Sequence, residues 1–140
     1  MEHKAYDNGC ISAASIAISP SGQYLATGSK QGAVNVYETS TVFSSTTPEP
    51  VKIALNLTTA ITKLRFNNTS EILVFASDRK PNEFKMMHLP SFSVFSNFPT
   101  SKTQMYNVLD VDFSPGSGYM GVGNNNGYAN LYRLKHYGNY

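Results

Sequence analysis

The chain has no tryptophan and one cysteine, Cys10, among its 140 residues. A single thiol excludes an internal disulfide and any Cys-x-x-Cys zinc or redox pair, and it points to a reducing compartment, cytosol or nucleus. Charge is also scarce. Asp, Glu, Lys and Arg make up 14% of the residues, the net charge is +2, and the longest basic run is Arg79-Lys80. A bulk electrostatic footprint for nucleic acid is therefore missing. No stretch approaches the roughly eighteen apolar residues of a membrane-spanning helix, so no membrane contact is expected. No apolar segment follows Met1-Glu2-His3-Lys4, so no secretory signal peptide is expected. Without one, the glycosylation-type triplets Asn56-Leu57-Thr58 and Asn67-Asn68-Thr69 read as turn and strand residues.

What the chain does have is nine Tyr, eight Phe and 41% hydrophobic residues, set among many Ser, Thr and Asn. That mixture suits strands joined by tight turns better than surface helices. A repeat organises it. Ile16-Ala17-Ile18-Ser19-Pro20-Ser21-Gly22-Gln23-Tyr24-Leu25 returns as Leu64-Arg65-Phe66-Asn67-Asn68-Thr69-Ser70-Glu71-Ile72-Leu73, and again as Val111-Asp112-Phe113-Ser114-Pro115-Gly116-Ser117-Gly118-Tyr119-Met120. The turn starts Ser19, Asn67 and Ser114 are about 48 and 47 residues apart. Four-stranded propeller blades recur at about this period.

Each copy reads strand by strand. The first strand ends in an apolar-x-apolar triplet: Ile16 and Ile18, Leu64 and Phe66, Val111 and Phe113. Period-two alternation places each pair on one buried face. A Ser-Pro-type turn leads to a second strand at 24–28, 72–77 and 119–123. A polar hairpin follows at 29–32, 78–82 and 124–127, then a third strand at 33–37, 84–88 and 128–134. Outer fourth strands are expected at 51–57 and 92–97, and the last copy lacks one. The Ser/Thr/Pro-rich stretch 40–50 is expected to be an exposed, mobile loop. The expected layout is a tail or preceding-blade strand at 1–10, blades at 11–57 and 58–99, and an incomplete blade with a C-terminal tail at 100–140.

These residues resemble the WD-repeat family of β-propellers. The dipeptide closing the third strand is Val36-Tyr37, Met87-His88 and Leu131-Tyr132, never Trp-Asp. The hairpin Asp survives as Asp78, with Ser29 and Asn124 or Asn125 in its place elsewhere. The Ser/His/Asp/Trp hydrogen-bond network of strong WD repeats cannot form, so apolar packing between sheets must carry the fold. The family resemblance sharpens at His88-Leu89-Pro90-Ser91 and Val94-Phe95-Ser96-Asn97-Phe98-Pro99, with Asp112-Phe113-Ser114-Pro115 and Tyr132-Arg133-Leu134. These look like the C-terminal WD-repeat region found in the small-subunit processome, a member of its UTP-B subcomplex. That resemblance implies an all-β propeller fragment acting as a non-catalytic scaffold in the nucleolus of the nucleus. Its implied partners are processome proteins, with pre-rRNA or small nucleolar RNA as a further contact. The Met1 start is then expected to reflect a truncated product of a longer propeller. A WD-repeat module of another complex, such as a ubiquitin-ligase adaptor or a vesicle coat, shares the same physics and stays open.

Catalytic and ligand chemistry finds little footing. Gly121-Val122-Gly123-Asn124-Asn125-Asn126-Gly127 spaces its third glycine one residue late for a dinucleotide loop and continues as a strand, so it reads as a hairpin turn. Asp110 and Asp112 share one strand face and read as structural residues near a central channel. His3, His88 and His136 lack metal-ligand spacing, and no nucleophile–base arrangement appears. No enzyme activity, cofactor, metal or small-molecule substrate is expected. The candidate partner contacts are Arg79, Lys80 and Lys85 around the long hairpin, and Arg133, Lys135, His136 and Tyr137, where basic and aromatic residues interleave at the C-terminus.

A blade hides its apolar faces only against another blade, so the end copies expose core residues. About 400 Å² of apolar area left in water at each end forfeits on the order of 10 kcal/mol. The chain is therefore expected to belong to a longer propeller, to pair with a second copy, or to be marginal in stability.

Overall fold

In the computed structural model the described residues are 13–44, 46, 48–96, 98–99, 103–116 and 118–134. They form three antiparallel sheets. The first is β1 (Ala13–Ile18), β2 (Tyr24–Ser29), β3 (Val34–Glu38) and β4 (Lys52–Ala54), in that order across the sheet. The second is β5 (Lys63–Phe66), β6 (Ile72–Ala76), β7 (Phe84–His88) and β8 (Ser93–Val94). The third is β9 (Val108–Phe113), β10 (Tyr119–Asn124) and β11 (Ala129–Arg133). The outer strands β4 and β8 are shorter than the sequence pattern predicts.

The three Ser-Pro-type turns close alike. Ser19 N–H bonds to the Tyr24 carbonyl at 2.9 Å, Asn67 N–H to Ile72 at 2.9 Å, and Ser114 N–H to Tyr119 at 2.9 Å. In return Ser19 Oγ, Asn67 Oδ1 and Ser114 Oγ accept from the amides of Tyr24, Ile72 and Tyr119, each at 3.0 Å. A small polar side chain thus satisfies a strand-start amide that the ladder leaves over. The second turn repeats the device with Ser29, Ser77 and Asn124, whose side chains accept from amides two residues on at 3.2, 3.2 and 3.0 Å. In the middle copy this position belongs to Ser77. Asp78, expected there, sits one place further along, because the longer hairpin begins after the serine.

Two apolar clusters lie between the sheets. Tyr24, Ala26, Val34, Val36 and Ala54 of the first sheet meet Leu64, Phe66, Leu73, Phe75 and Met87 of the second. Ile72, Val74, Ala76, Phe84 and Met86, on the other face of the second sheet, meet Val108, Val111, Phe113, Met120 and Val122 of the third. The linker residue Ile61 straps the first junction. Its N–H bonds to Ser29 O at 3.0 Å and its carbonyl accepts from Ser15 Oγ at 2.7 Å. The linker also crosses tightly over the first hairpin at Gly32 (φ 100°), where a Cβ would lie 2.5 Å from the Leu57 carbonyl oxygen.

Two expectations need correction. Ile16 and Ile18 are not buried; they are 67% and 63% exposed, whereas Phe66, at the position matching Ile18, is 6% exposed. Alternation sets the face correctly, but burial needs a preceding sheet, and among the described residues the first sheet has none. The stretch after β3 is not wholly loop either: Thr39–Ser44 forms a short helix, α1, with Val42 buried.

In urea unfolding, Phe66→Ala is expected to cost about 3–5 kcal/mol, as a large core truncation does. Ile18→Ala, at the same repeat position, should stay within about 0.5 kcal/mol, as an exposed site does. Asn67→Ala should cost about 1–3 kcal/mol, because it strands the amides of Glu71 and Ile72.

Candidate docking surfaces

The end faces of the stack follow from strand register. Ala26 pairs with Val36, and Val74 with Met86. These pairs, with Tyr24 and Ile72 beside them, fill the two junctions between sheets. In the third sheet the same places fall to Tyr119 and to Gly121, which pairs with Leu131. Among the described residues no further sheet covers them, and Tyr119 and Leu131 are 45% and 71% exposed. At the other end Ile16, Ile18 and Ile53 are exposed on the outward face of the first sheet, while Asn35 and Tyr37 on the same face are buried. The stack therefore ends in one face of each kind that its interior joins together. An open depression of about 550 Å³ borders Tyr119, Arg133, Gly118 and Leu134 on the third sheet.

Inner strands β5 and β9 carry a charge ladder. Lys63 Nζ lies 3.4 Å from Asp110 Oδ1, and Arg65 Nη2 lies 2.7 Å from Asp112 Oδ1. The same aspartate oxygens accept from the amides of Val111 and Phe113, each at 2.9 Å. Both carboxylates are thus occupied in holding two sheets side by side. At the corresponding places on β1 stand Ser15 and Ala17, which carry no charge. Exposed pairs of this kind contribute about 0.2–1 kcal/mol each.

The basic candidates do not converge on one site. Arg79 and Lys80 project from the hairpin between β6 and β7 and are exposed, paired with Asp78 (3.4 Å) and with the largely buried Glu83 (3.7 Å). Lys85 is half-buried within β7 and pairs with Phe75, on the side facing the first sheet. Arg133 stands on β11 opposite Tyr119. Lys135, His136 and Tyr137 lie outside the described residues. Among the described residues no three His, Cys, Asp or Glu side chains gather to hold a metal. Among the described residues no helix is long and apolar enough to cross a membrane. Burial, and then the charge of Glu38, push the Tyr24 phenol above its ordinary value of 10.0.

Sequence reasoning overlooked an aromatic pair on the rim. Tyr106 and Tyr128 stack with ring centroids 6.3 Å apart and planes 28° from parallel. Asn82 holds the segment in place. Its Oδ1 accepts from Met105 N–H at 2.7 Å and from Tyr106 N–H at 3.2 Å, and its own N–H bonds to Tyr106 O at 2.8 Å. One signal was available: the position four residues after the hairpin polar residue is Ala33 in the first copy and the tyrosine Tyr128 in the third.

Comparison with known proteins agrees with this architecture. The model of the WD domain, G-beta repeat, matches residues 3–38. The chain is 45% identical over 135 residues to the U3 small nucleolar RNA-associated protein 18 homolog of Mus musculus, covering 96% of this chain and 24% of the relative. It is 42% identical over 140 residues to the Drosophila melanogaster homolog (100% and 28%), and 44% identical over 115 residues to the Saccharomyces cerevisiae protein (82% and 19%). The chain spans about a quarter of the length of the curated relatives it matches. Along nearly its whole length, on sheets of WD-repeat type, it is a homologue of the U3 small nucleolar RNA-associated protein 18 proteins.

Proposed function

We propose that the chain is a non-catalytic scaffold of nucleolar ribosome biogenesis. It docks proteins of the small-subunit processome, of UTP-B type, and contacts pre-rRNA or small nucleolar RNA within that particle while small-subunit rRNA matures. Its units are blades at 11–57, 58–99 and 100–140. The observation that carries this reading is the exposed apolar residues on the two end faces, Ile16, Ile18 and Ile53 at one end and Tyr119 and Leu131 at the other. A stack that ends this way is completed by partners. The relatives' names, which tie those proteins to U3 small nucleolar RNA, support the choice of particle. Arg79, Lys80, Lys85 and Arg133, with Lys135, His136 and Tyr137, are the proposed partner contacts.

A tagged copy expressed in cells is expected to collect in nucleoli and to co-purify U3 small nucleolar RNA with processome proteins. A diffuse distribution with no enrichment of that RNA overturns the assignment. In solution the isolated chain is expected to self-associate as concentration rises, and Ile18→Lys or Leu131→Lys should each reduce that association in light scattering. A monodisperse monomer at every concentration contradicts the role given to the end faces.

A further inference from the structure

We infer that the Tyr106–Tyr128 pair, with Arg79 and Lys80 on the hairpin bonded to its segment, is a stacking site for the bases of single-stranded RNA; the inference rests on the ribonucleoprotein reading above. The first ground is backbone strain. Tyr106 has φ 53°, in the left-handed region that a bulky residue avoids, while Asn82 at φ 62° is a residue type that adopts it readily. Neither position relaxes, because the three Asn82–Met105/Tyr106 hydrogen bonds fix both. Strain of this kind persists where a side chain must be presented in one place. Here it delivers the Tyr106 ring onto Tyr128.

The second ground is exposure. Tyr128 is 59% exposed and belongs to neither apolar cluster. Packing between sheets therefore does not explain an aromatic there. Two stacked rings form a flat ledge that extends naturally by one more flat ring, and bases stack on tyrosine regardless of sequence.

The third ground is placement of charge. The hairpin that carries Arg79 and Lys80 is bonded to the same ledge: Asn107 Nδ2 donates to the Asp78 carbonyl at 2.7 Å, next to Arg79, while Asn82 closes the hairpin's far end onto Tyr106. Both cations are exposed, 69% for Arg79 and 58% for Lys80, and their carboxylate partners lie 3.4 and 3.7 Å away, Asp78 at the surface and Glu83 largely buried. The exposed Arg79–Asp78 pair holds weakly, and a phosphate oxygen can approach either cation from the solvent side. Cations beside stacked aromatics suit a base and its phosphate better than a proline-rich peptide, which needs the rings alone.

The experiment is fluorescence anisotropy of a fluorescein-labelled twelve-nucleotide polyuridine with the full 140-residue chain. The wild type is expected to bind, and Tyr128→Ala to bind about ten-fold more weakly. Tyr128→Phe, which keeps the ring, should bind within about two-fold of wild type. The Arg79→Ala/Lys80→Ala double variant should reduce the slope of log affinity against log salt by about 1.4. Unchanged circular dichroism in Tyr128→Ala controls for folding. Equal RNA affinity of wild type and Tyr128→Ala overturns the site. So does binding of a proline-rich peptide with none of RNA. Either result with nucleolar U3 enrichment intact leaves the scaffold reading standing, whereas loss of that enrichment in the wild type defeats the scaffold reading itself.

Discussion

Burial of one sheet by the next is the constraint on which this molecule depends. The second sheet shows it in full. All five residues of β6, from Ile72 to Ala76, are buried, because a sheet lies on each side. Alternate residues serve different neighbours: Leu73 and Phe75 fill the first cluster, while Ile72, Val74 and Ala76 fill the second. The same register positions in the end sheets meet solvent on one side. Dispersion and apolar desolvation both scale with the surface covered, so the chain's stability and its appetite for partners come from one source.

Polar groups supply the order that packing alone leaves loose. The tryptophan-based network of strong WD repeats is replaced by small side chains folded back on their own turns. Ser19, Asn67 and Ser114 serve one end of each sheet, and Ser29, Ser77 and Asn124 the other. A few bonds also run between neighbouring turns. Ser21 N–H donates to Ser70 Oγ at 3.1 Å, and Asn68 Nδ2 reaches the carbonyls of Ser114 and Pro115, both at 2.8 Å. Together with the Lys63–Asp110 and Arg65–Asp112 ladder, they set the lateral register of sheets whose apolar contact is non-directional.

The repeat frees its rim to vary. Matching positions hold alanine in one copy and tyrosine in another, or a short turn in one and a hairpin two residues longer in the next, without disturbing the ladders. Function on such a scaffold collects where copies differ. The long hairpin of the second sheet leans on the connector to the third, whereas the shorter hairpin of the first sheet is crossed by its linker at Gly32.

The amino-acid sequence by itself determined the strand order, the turn chemistry and the face on which each apolar residue sits, because these follow from period-two alternation and from local bonds within a few residues. Leu64, Phe66, Val111 and Phe113 were legible as core for that reason. Ile16 and Ile18 carry the same signal and lie in water, since alternation names a face and only a neighbouring sheet decides whether that face is covered. The helix at Thr39–Ser44 was hidden because its residues are poor helix formers, and the burial of Val42 depends on tertiary contact. The meeting of Arg65 with Asp112, 47 residues apart, and of Tyr106 with Tyr128, was likewise settled by tertiary structure. Side chains so far apart along the chain come together only once sheets stack, and no local pattern encodes the distance between them.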